Sequence, residues 1–361
     1  MTRMNSRPRA LKGRGALSNP PGRFDVRQIT AVDDGWYLEE EPDSMPTTLE
    51  PDKARGVITT NDSPDIPFES SINPYRGCEH ACSYCYARPS HAYMGLSPGL
   101  DFETRLFYKA DVQKTLESEL ARSDYACKPI MLGANTDPYQ PVEKRMKVTR
   151  SILEVLTRTR HPVAVITKSA MVLRDLDLLM DLARDNLVSV SVSVTTLDDE
   201  LKRKLEPRAA SPAARIRTLA ALARAGVPCG VMVAPVIPAI TDHEVERILE
   251  ACAEAGAQWA GYVLLRLPYE VKDLFREWLA EHYPERAAHV MSLIHEMRGG
   301  RDNDARFGSR MRGTGPYAQL LRNRFKLGCQ RLKLNSTARG PLDTTRFRPP
   351  GPAGAQLRLG L

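Results

Sequence analysis

The feature that most restricts the fold of this chain is an alternation of short apolar segments with amphipathic segments. The apolar segments are rich in β-branched residues, and helical patterns separate them, for example from Ser211-Pro212 to Gly226. Six strands are predicted, at Ile72–Tyr75, Pro129–Ala134, Val163–Thr167, Val188–Thr195, Val227–Pro235 and Trp259–Leu265. Alternation of this kind is typical of βα units whose strands form a parallel sheet.

Six strands are too few for a closed barrel of eight βα units, so the sequence predicts an α/β fold built as an open, partial (β/α)6 TIM-like barrel. After Leu265 the pattern becomes helical, and from Gly299 it becomes basic and rich in Gly and Pro. Three regions are expected. They are an N-terminal extension of residues 1–70 that is partly disordered, a barrel of residues 71–267, and a helical and basic C-terminal extension of residues 268–361.

The two ends of the chain are basic and its middle is acidic. Residues 1–30 hold seven Lys or Arg against one acid, residues 301–361 hold thirteen against three, and the whole chain carries +7. Basic ends can contact the phosphates of a nucleic acid, or they can be solvated tails that aid solubility. Phe307–Phe325 mixes Arg, Gly and aromatic residues. It predicts either a segment that binds phosphates and stacks a base, or an ordered arm across the open barrel.

Cellular location is indicated by hydropathy and by cysteine usage. No apolar run approaches the roughly 18 residues needed to span a membrane, and the N-terminus lacks the apolar core of a secretory signal. The seven cysteines are an odd number with three clustered, which favours a reducing compartment over a disulfide framework. We therefore expect a soluble, cytoplasmic protein without a membrane partner.

Three cysteines stand close together in the loop expected after the first strand. Cys78, Cys82 and Cys85 have the spacing Cys-x3-Cys-x2-Cys, and Tyr84 directly precedes the third cysteine. A [4Fe–4S] cluster takes four ligands, so three thiolates leave one iron open. Ligand softness and spacing favour this cluster. A zinc site completed by His80 or by a distant cysteine is an alternative, and so is a redox pair formed by the last two cysteines.

This spacing, together with the aromatic residue, resembles the signature of the radical S-adenosylmethionine (radical SAM) superfamily. The resemblance implies that Cys78, Cys82 and Cys85 hold a [4Fe–4S] cluster whose open iron binds the amino and carboxylate groups of SAM. It implies that reductive cleavage of SAM yields a 5′-deoxyadenosyl radical that takes a hydrogen atom from a substrate. An electron donor of the flavodoxin or ferredoxin type is implied as a partner, and Tyr84 is expected near the adenine.

Further site residues are selected by the rule that sites in parallel α/β folds form at the carboxyl ends of strands. The residues selected are Thr136, Asp137, Lys168, Ser191, Ser193 and Arg208. Lys168 or Arg208 can meet the cofactor carboxylate, Thr136 or Asp137 can take its amino group, and a serine of the fourth strand can reach the ribose. Each position also has a structural interpretation, as a turn, a helix cap or a packed strand face.

Within the superfamily, Ile72–Leu267 is similar to the spore photoproduct lyase-like branch. The segments that carry the similarity are Asn73–Cys78, Cys85-Tyr86, Asn135–Pro138 and Thr167-Lys168. The resemblance implies that Thr136 and Lys168 contact the methionine part of the cofactor and that Tyr84 lies on its adenosine side. Ala134 stands where the lyase has the cysteine that returns a hydrogen atom, and this departure argues against thymine-dimer lyase chemistry.

The sequence therefore predicts a radical SAM enzyme that generates a 5′-deoxyadenosyl radical. Nucleic acid, as for a DNA repair photolyase-like enzyme, is the first expectation for its substrate, because the open side of a partial barrel can admit a polymer and both chain ends are basic. One alternative is a radical SAM enzyme acting on a peptide or a small metabolite. The other is a non-enzymatic, zinc-binding adaptor, against which the lack of a downstream cysteine pair with zinc-like spacing counts.

Overall fold

The computed structural model describes residues 11–25, 45–336 and 340–351. The strands are β1 Thr48–Pro51, β2 Ile58–Thr60, β3 Ser70–Ile72, β4 Tyr75–Arg76, β5 Arg105–Tyr108, β6 Ile130–Leu132, β7 Val163–Thr167, β8 Val188–Ser193, β9 Cys229–Val236 and β10 Trp259–Leu264. One sheet has the order β10-β9-β8-β7-β6-β3-β2, and a small second sheet has the order β1-β5-β4. The six predicted strands correspond to β3 and to β6 through β10.

Helices connect the strands of the large sheet and continue after it. The helices are α1 Asp101–Thr104, α2 Val112–Leu120, α3 Glu143–Met146, α4 Val148–Arg158, α5 Leu176–Arg184, α6 Asp199–Leu205, α7 Pro212–Arg224, α8 Val245–Glu254, α9 Val271–His282, α10 Pro284–Met297 and α11 Gly315–Arg331. Short 3-10 helices cover Arg88–Met94, Ala170–Asp175 and Asp242–Glu244. None of the helices in the described ranges has both the length and the hydropathy to span a lipid bilayer.

The large sheet is open. The strands β3, β6, β7, β8, β9 and β10 run parallel to one another, and β2 pairs antiparallel with β3. Within the described residues, β10 and β2 stand at opposite edges of the strand order. The predicted partial barrel with parallel strands is therefore confirmed.

The two faces of the sheet differ because side chains alternate along each strand. In β8, Val188, Val190 and Val192 are fully buried and join the main core with residues of the surrounding helices. Ser189 and Ser191 point to the opposite face, which is the concave interior of the partial barrel. The carboxyl ends of the parallel strands bring polar residues to one rim of this interior.

The structure departs from the sequence prediction at the first predicted strand and in the C-terminal extension, among other places. The first predicted strand is divided at Asn73-Pro74, because proline cannot donate to a strand partner and the chain turns there to pair β4 with β5. Helix α11 lies in the Gly- and Pro-rich part of the C-terminal extension, which is predicted to be helical and basic but without bounds for a helix there. Residues 1–10 and 26–44 of the predicted N-terminal extension lie outside the described residues, and so do 337–339 and 352–361 of the C-terminal one.

Candidate active site

The cysteine loop, residues 77–87, leaves β4 and leads into the first 3-10 helix. It begins at Gly77, whose φ of +76° lies in the left-handed region. A Cβ at Gly77 would lie 2.8 Å from the Phe102 carbonyl oxygen, so the turn requires glycine. Gln140 holds the loop, because its Nε2 donates to the Gly77 carbonyl at 3.1 Å and its Oε1 accepts from the Glu79 N–H at 2.8 Å.

The three cysteines of this loop are withdrawn from solvent and influence one another electrostatically. Cys78 and Cys82 are 7% and 8% exposed, and Cys85 is half-buried. Burial raises the pKa of Cys78 well above its ordinary value, and Asp137 and the other two thiols add to the effect. Burial also raises the pKa of Cys82 to about 12 and raises that of Cys85. In the metal-free protein these thiols hold their protons, and iron binding releases them.

The donor set fits the cluster that the sequence predicts, because soft sulfur donors in one buried loop suit iron–sulfur ligation. The zinc interpretation needs His80 or a distant cysteine as a fourth ligand. His80 Nδ1 instead faces Asp137 Oδ2 at 3.3 Å, and Cys229, Cys252 and Cys329 lie in the main core. Within the described ranges, no three His, Cys, Asp or Glu side chains are arranged to hold a single metal ion.

A fully buried arginine, Arg88, holds the backbone of the cysteine loop through hydrogen bonds. Arg88 Nε and Nη2 both donate to the Cys82 carbonyl oxygen, at 3.0 and 2.8 Å. Arg88 Nη1 donates to the carbonyls of Pro98 and Gly99 at 3.1 and 2.9 Å, and the guanidinium pairs with Glu103. Since both charged side chains are 0% exposed, this pair positions the backbone of the second cysteine from inside the protein.

Tyr84, which lies within the loop, is held in place by a buried carboxylate. Its hydroxyl donates to Glu206 and lies 3.4 Å from Thr195 Oγ1. Arg215 pairs with the other oxygen of Glu206. Burial alone would raise the pKa of Glu206, but the charges of Arg215 and Lys168 bring it down to about 2. Tyr84 is therefore held by an ionised group, and its predicted place near the adenine stays a prediction.

Asp137 joins the ends of β6 and β7. Its Oδ1 accepts from the Thr167 hydroxyl and its Oδ2 from the Lys168 backbone N–H, both at 2.7 Å. Burial favours the neutral carboxyl, yet His80 and these hydrogen bonds lower the pKa of Asp137 to about 2. The Thr136 hydroxyl donates to a backbone carbonyl of β4 at 2.6 Å. Both residues brace the rim near Cys78, and their contact with the SAM amino group stays a prediction.

The two cations predicted for the cofactor carboxylate occupy different places. Lys168 is half-buried, and its charge acts to lower the pKa of both Cys82 and Cys85, so its ammonium group lies near these thiols. Arg208 instead pairs with Glu79 of the cysteine loop at 3.1 Å. Lys168 is therefore better placed than Arg208 to meet a carboxylate beside the cysteines.

Ser191 and Ser193 both lie on the concave face of β8. Trp259 Nε1 donates to Ser191 Oγ at 3.3 Å, and the Trp259 ring covers Gly230, where a Cβ would lie 2.4 Å from it. Ser191 lines a cavity of about 520 Å³ with Trp259 and Asn335. Among the described residues that line this cavity, none belongs to the cysteine loop. Ser193 lies nearer the carboxyl end of β8, and the ribose contact of either serine stays a prediction.

Several residues of the site are not among those selected from the sequence. Glu206 directly follows α6, and Arg215 lies in the first turn of α7. Because the two residues are not on one helix, they lack the i, i+3 or i, i+4 spacing that would indicate an ion pair. The Tyr86 hydroxyl donates to the Ala134 carbonyl, and the Arg266 guanidinium carbon lies 5.4 Å from the centroid of the Tyr86 ring. The signal for Tyr86 was its place next to the third cysteine.

Comparisons with known proteins identify the family of this chain. The model of the radical SAM superfamily matches residues 72–252, and the chain belongs to that superfamily. An uncharacterised protein of Mycobacterium tuberculosis is 38% identical over 230 residues, which are 63% of this chain and 68% of that protein. A protein of Pseudomonas phage M6 named radical SAM Nα-GlyT isomerase is 26% identical, over 67% of this chain and 50% of that protein. Spore photoproduct lyase complexed with dinucleoside spore photoproduct has a similar structure, with a TM-score of 0.55 at 14% identity, over 79% of this chain and 78% of that chain.

Membership settles the class of protein. Radical SAM enzymes use a [4Fe–4S] cluster and SAM, so the predicted superfamily and both predicted cofactors are confirmed. The protein is an enzyme, which leaves no place for the zinc-binding adaptor. The similarity to spore photoproduct lyase, at 14% identity, concerns the fold.

The lowered pKa values of Asp137 and Glu206 predict that the folded protein loses stability in acid. Each carboxyl has a pKa of about 2 in the folded protein, below the value of about 4 for an unfolded chain. Their contribution to the free energy of unfolding is complete above about pH 4 to 5 and is lost as the pH falls toward 2. In the metal-free protein, Asp137→Asn should flatten the slope of the free energy of unfolding against pH, measured by urea titration between about pH 5 and 2.5.

The control for this titration is Asp62→Asn, which removes an exposed carboxyl in the loop after β2. That variant should keep the wild-type slope. An unchanged slope in Asp137→Asn would mean that Asp137 is not held ionised in the folded protein.

Proposed function

We propose that this radical SAM enzyme acts on a nucleic-acid substrate held at the open side of its partial barrel. The observation that carries the proposal is an arginine with an unsatisfied donor, Arg266, beside aromatic side chains at that opening. An open side is accessible to a polymer, so a nucleotide within a chain can approach the cysteine loop there.

Arg266 lies two residues after the end of β10 and against Tyr86, the residue after the third cysteine. Its Nε is buried without a hydrogen-bond partner, and its Nη1 lies 3.8 Å from Met311 Sδ. In the part of the chain that the structure describes, Arg266 makes no ion pair with a carboxylate. A cation with one donor that lacks a partner and one that has only a weak sulfur acceptor can gain stronger partners from an anionic group of the substrate.

A C-terminal arm, residues 304–314, brings a second arginine and an exposed ring to the same opening. The Leu264 N–H of β10 donates to a carbonyl of the arm at 3.0 Å. Arg310 pairs with Asp65, which follows β2 at the other edge of the sheet. The Phe307 side chain is 58% exposed, and its ring centroid lies 4.7 Å from the Arg310 guanidinium carbon. The arm therefore reaches from one edge of the open sheet to the other.

The two arginines act on each other electrostatically. Burial lowers the pKa of Arg266, and the charge of Arg310 lowers it further. Two close arginines with the rings of Tyr86 and Phe307 form a combination that can bind phosphates and stack bases of a single strand. Both expectations for the Phe307–Phe325 segment are compatible with this arrangement, since the arm is ordered and carries the binding groups.

The cofactor contacts in this proposal come from the cysteine loop and the polar strand ends. Cys78, Cys82 and Cys85 would hold the cluster, which together with SAM would supply the chemistry that removes a hydrogen atom from the substrate. We assign Lys168 to the SAM carboxylate, Thr136 and Asp137 to its amino group, Tyr84 to the adenine, Ser191 or Ser193 to the ribose and Arg208 to a supporting position. A flavodoxin- or ferredoxin-type protein supplies the electron.

The name of one similar structure supports a nucleotide-like substrate, and the names of two similar proteins indicate different reactions. The spore photoproduct lyase structure holds a dinucleoside photoproduct, while the phage protein is named an isomerase. Ala134 stands where the cysteine of the lyase is expected. The proposal therefore covers the substrate class and leaves DNA repair photolyase-like chemistry as one of the reactions to assay.

A small metabolite or peptide is the second candidate substrate, and one observation favours it. The cavity of about 520 Å³ between Ser191, Trp259 and Asn335 falls within the range of roughly 300–1,000 Å³ that small-molecule sites occupy. A substrate in this cavity would contact neither Arg266 nor Phe307, so the two candidates predict different effects of the same substitution.

The wild-type protein should bind a fluorescent single-stranded oligonucleotide with an affinity that falls as salt rises. Arg266→Gln should weaken binding and reduce the slope of log K against log salt by about 0.7, the value for one lost single-strand phosphate contact. Fluorescence anisotropy over a salt series measures both quantities.

The matched control is Arg184→Gln, which removes the same charge from the end of α5. This helix end leads into the amino end of β8, whereas the site lies at the carboxyl ends of the strands, so the slope should not change. A flat salt response of the wild-type protein would contradict the nucleic-acid proposal and favour the small substrate.

A further inference from the structure

We infer that residues 11–25, here named the N-terminal strap, are part of the cluster site and protect the cluster from solvent and oxygen. The strap supplies no ligand. It lies on the cysteine loop and is connected to the backbone of Cys82 through buried hydrogen bonds. The inference needs only the cluster of this superfamily and is independent of the substrate.

Gly15 is the point where the strap comes closest to the loop. A Cβ built on Gly15 would lie 1.8 Å from the Ala81 carbonyl oxygen and 3.2 Å from the Ser83 nitrogen. Ala81 and Ser83 are the two neighbours of Cys82, which is 8% exposed. The backbone of the strap thus rests on the loop at the second cysteine, and a residue with a Cβ does not fit there.

Glu103 ties the strap to the same cysteine. Its Oε2 accepts from the Gly15 N–H at 3.0 Å, and its Oε1 accepts from the Ala16 N–H at 2.8 Å. Glu103 also pairs with Arg88, whose Nε and Nη2 donate to the Cys82 carbonyl. Strap, carboxylate, guanidinium and cysteine backbone therefore form one continuous buried network of charge-assisted hydrogen bonds.

The rest of the strap is anchored to helix α9 and to the turn before it. Ser18 Oγ donates to Glu277 Oε2 at 2.6 Å. Arg23 pairs with Glu270 at 3.1 Å. These anchors lie after Gly15 in the chain, so they hold the strap down over the loop without touching any cysteine.

Lifting the strap has two consequences for the loop. It uncovers the backbone from Ala81 to Ser83, and it leaves the buried carboxylate of Glu103 without two of its donors. A variant whose strap is released therefore loses the free energy of at least one charge-assisted hydrogen bond between strap and loop. This loss corresponds to about a tenfold increase in the fraction of molecules in which the strap does not cover the loop. Attack by oxygen on the cluster should accelerate by about the same factor.

The test uses the full chain, reconstituted without oxygen, with iron content measured before exposure to air. Gly15→Ala should bind iron but lose its visible cluster absorbance in air about ten times faster than the wild type. Gly340→Ala is the matched control, because a Cβ there meets nothing within 4 Å, and it should bleach at the wild-type rate. The melting temperature of each metal-free variant reports whether the fold is retained.

Ser18→Ala is a second variant that releases an anchor of the strap and adds no atom near the loop. It should accelerate bleaching in the same direction, by a smaller factor. Wild-type bleaching in a folded Gly15→Ala variant would overturn the inference. If Gly15→Ala does not fold, wild-type bleaching in Ser18→Ala would overturn it instead.

Discussion

Cys82→Ala should abolish formation of 5′-deoxyadenosine from SAM and dithionite, by more than about a thousandfold. Two remaining thiolates cannot replace the three-cysteine ligand set, and the iron content of the reconstituted variant should fall with the activity. The measurement is anaerobic reconstitution followed by chromatography of the nucleoside product and by iron and sulfide analysis.

The control is Cys127→Ala, which removes a half-buried thiol outside the cysteine loop. It should keep its iron and its activity, and so show that loss of a thiol is not itself the cause. Product formation by Cys82→Ala at the wild-type rate would mean that this cysteine does not ligate the cluster.

The second large effect is expected from Arg215→Ala, which should lower the free energy of unfolding by about 3–5 kcal/mol. The substitution leaves the Glu206 carboxylate, which is 0% exposed, without its cation. It also removes the bonds from Arg215 Nη1 to the Ser193 carbonyl at 3.0 Å and from Nε to the Ala210 carbonyl at 2.9 Å. Urea unfolding of the metal-free protein measures the change.

Two further variants distinguish the destabilisation caused by an uncompensated buried charge from the destabilisation caused by a general loss of contacts. Arg122→Ala breaks an ion pair with Asp124 in which both side chains are mostly exposed, and it should leave the unfolding curve unchanged. Adding Glu206→Gln to Arg215→Ala should recover part of the lost stability, because the uncompensated charge is gone. A loss below about 1 kcal/mol in Arg215→Ala would contradict the buried ion pair.

The parts of the fold that the sequence predicts are those that depend on local patterns. The valines of β8 alternate with serines because one face packs against helices and the other faces the concave interior, and that alternation is visible in the chain itself. The spacing of Cys78, Cys82 and Cys85 is local in the same sense. Lys168 could be selected because parallel strands place their carboxyl ends at one rim.

The contacts that the sequence does not predict join residues far apart in the chain. Gly15 rests on Ala81, and Glu103 binds the backbone of both Gly15 and Ala16. Such contacts produce no periodicity in the sequence. Only composition is then left to interpret residues 1–30, and it indicates a loosely attached segment. Glu206 and Arg215 are an exception, because they lie close in sequence. They meet across the connection between α6 and α7, which has no recognisable charge pattern.

Helix α11 shows why the position of a helix within a segment predicted to be helical cannot always be found from its sequence pattern. Its first turn contains Gly315 and Pro316, and Leu320 and Leu327 are exposed on its outer side. These features weaken the apolar stripe that indicates a helix. Leu321 and Phe325 nevertheless pack into the main core, and this tertiary contact stabilises the helix in spite of its local sequence.

Everything proposed for this enzyme depends on three cysteines that hold an iron–sulfur cluster and leave one iron free for SAM. Metal analysis and electron paramagnetic resonance of the anaerobically reconstituted, reduced protein test it directly. We expect about four irons and four sulfides per chain, and a resonance signal that changes when SAM is added. One zinc per chain without iron, or a cluster signal that SAM leaves unchanged, would contradict it.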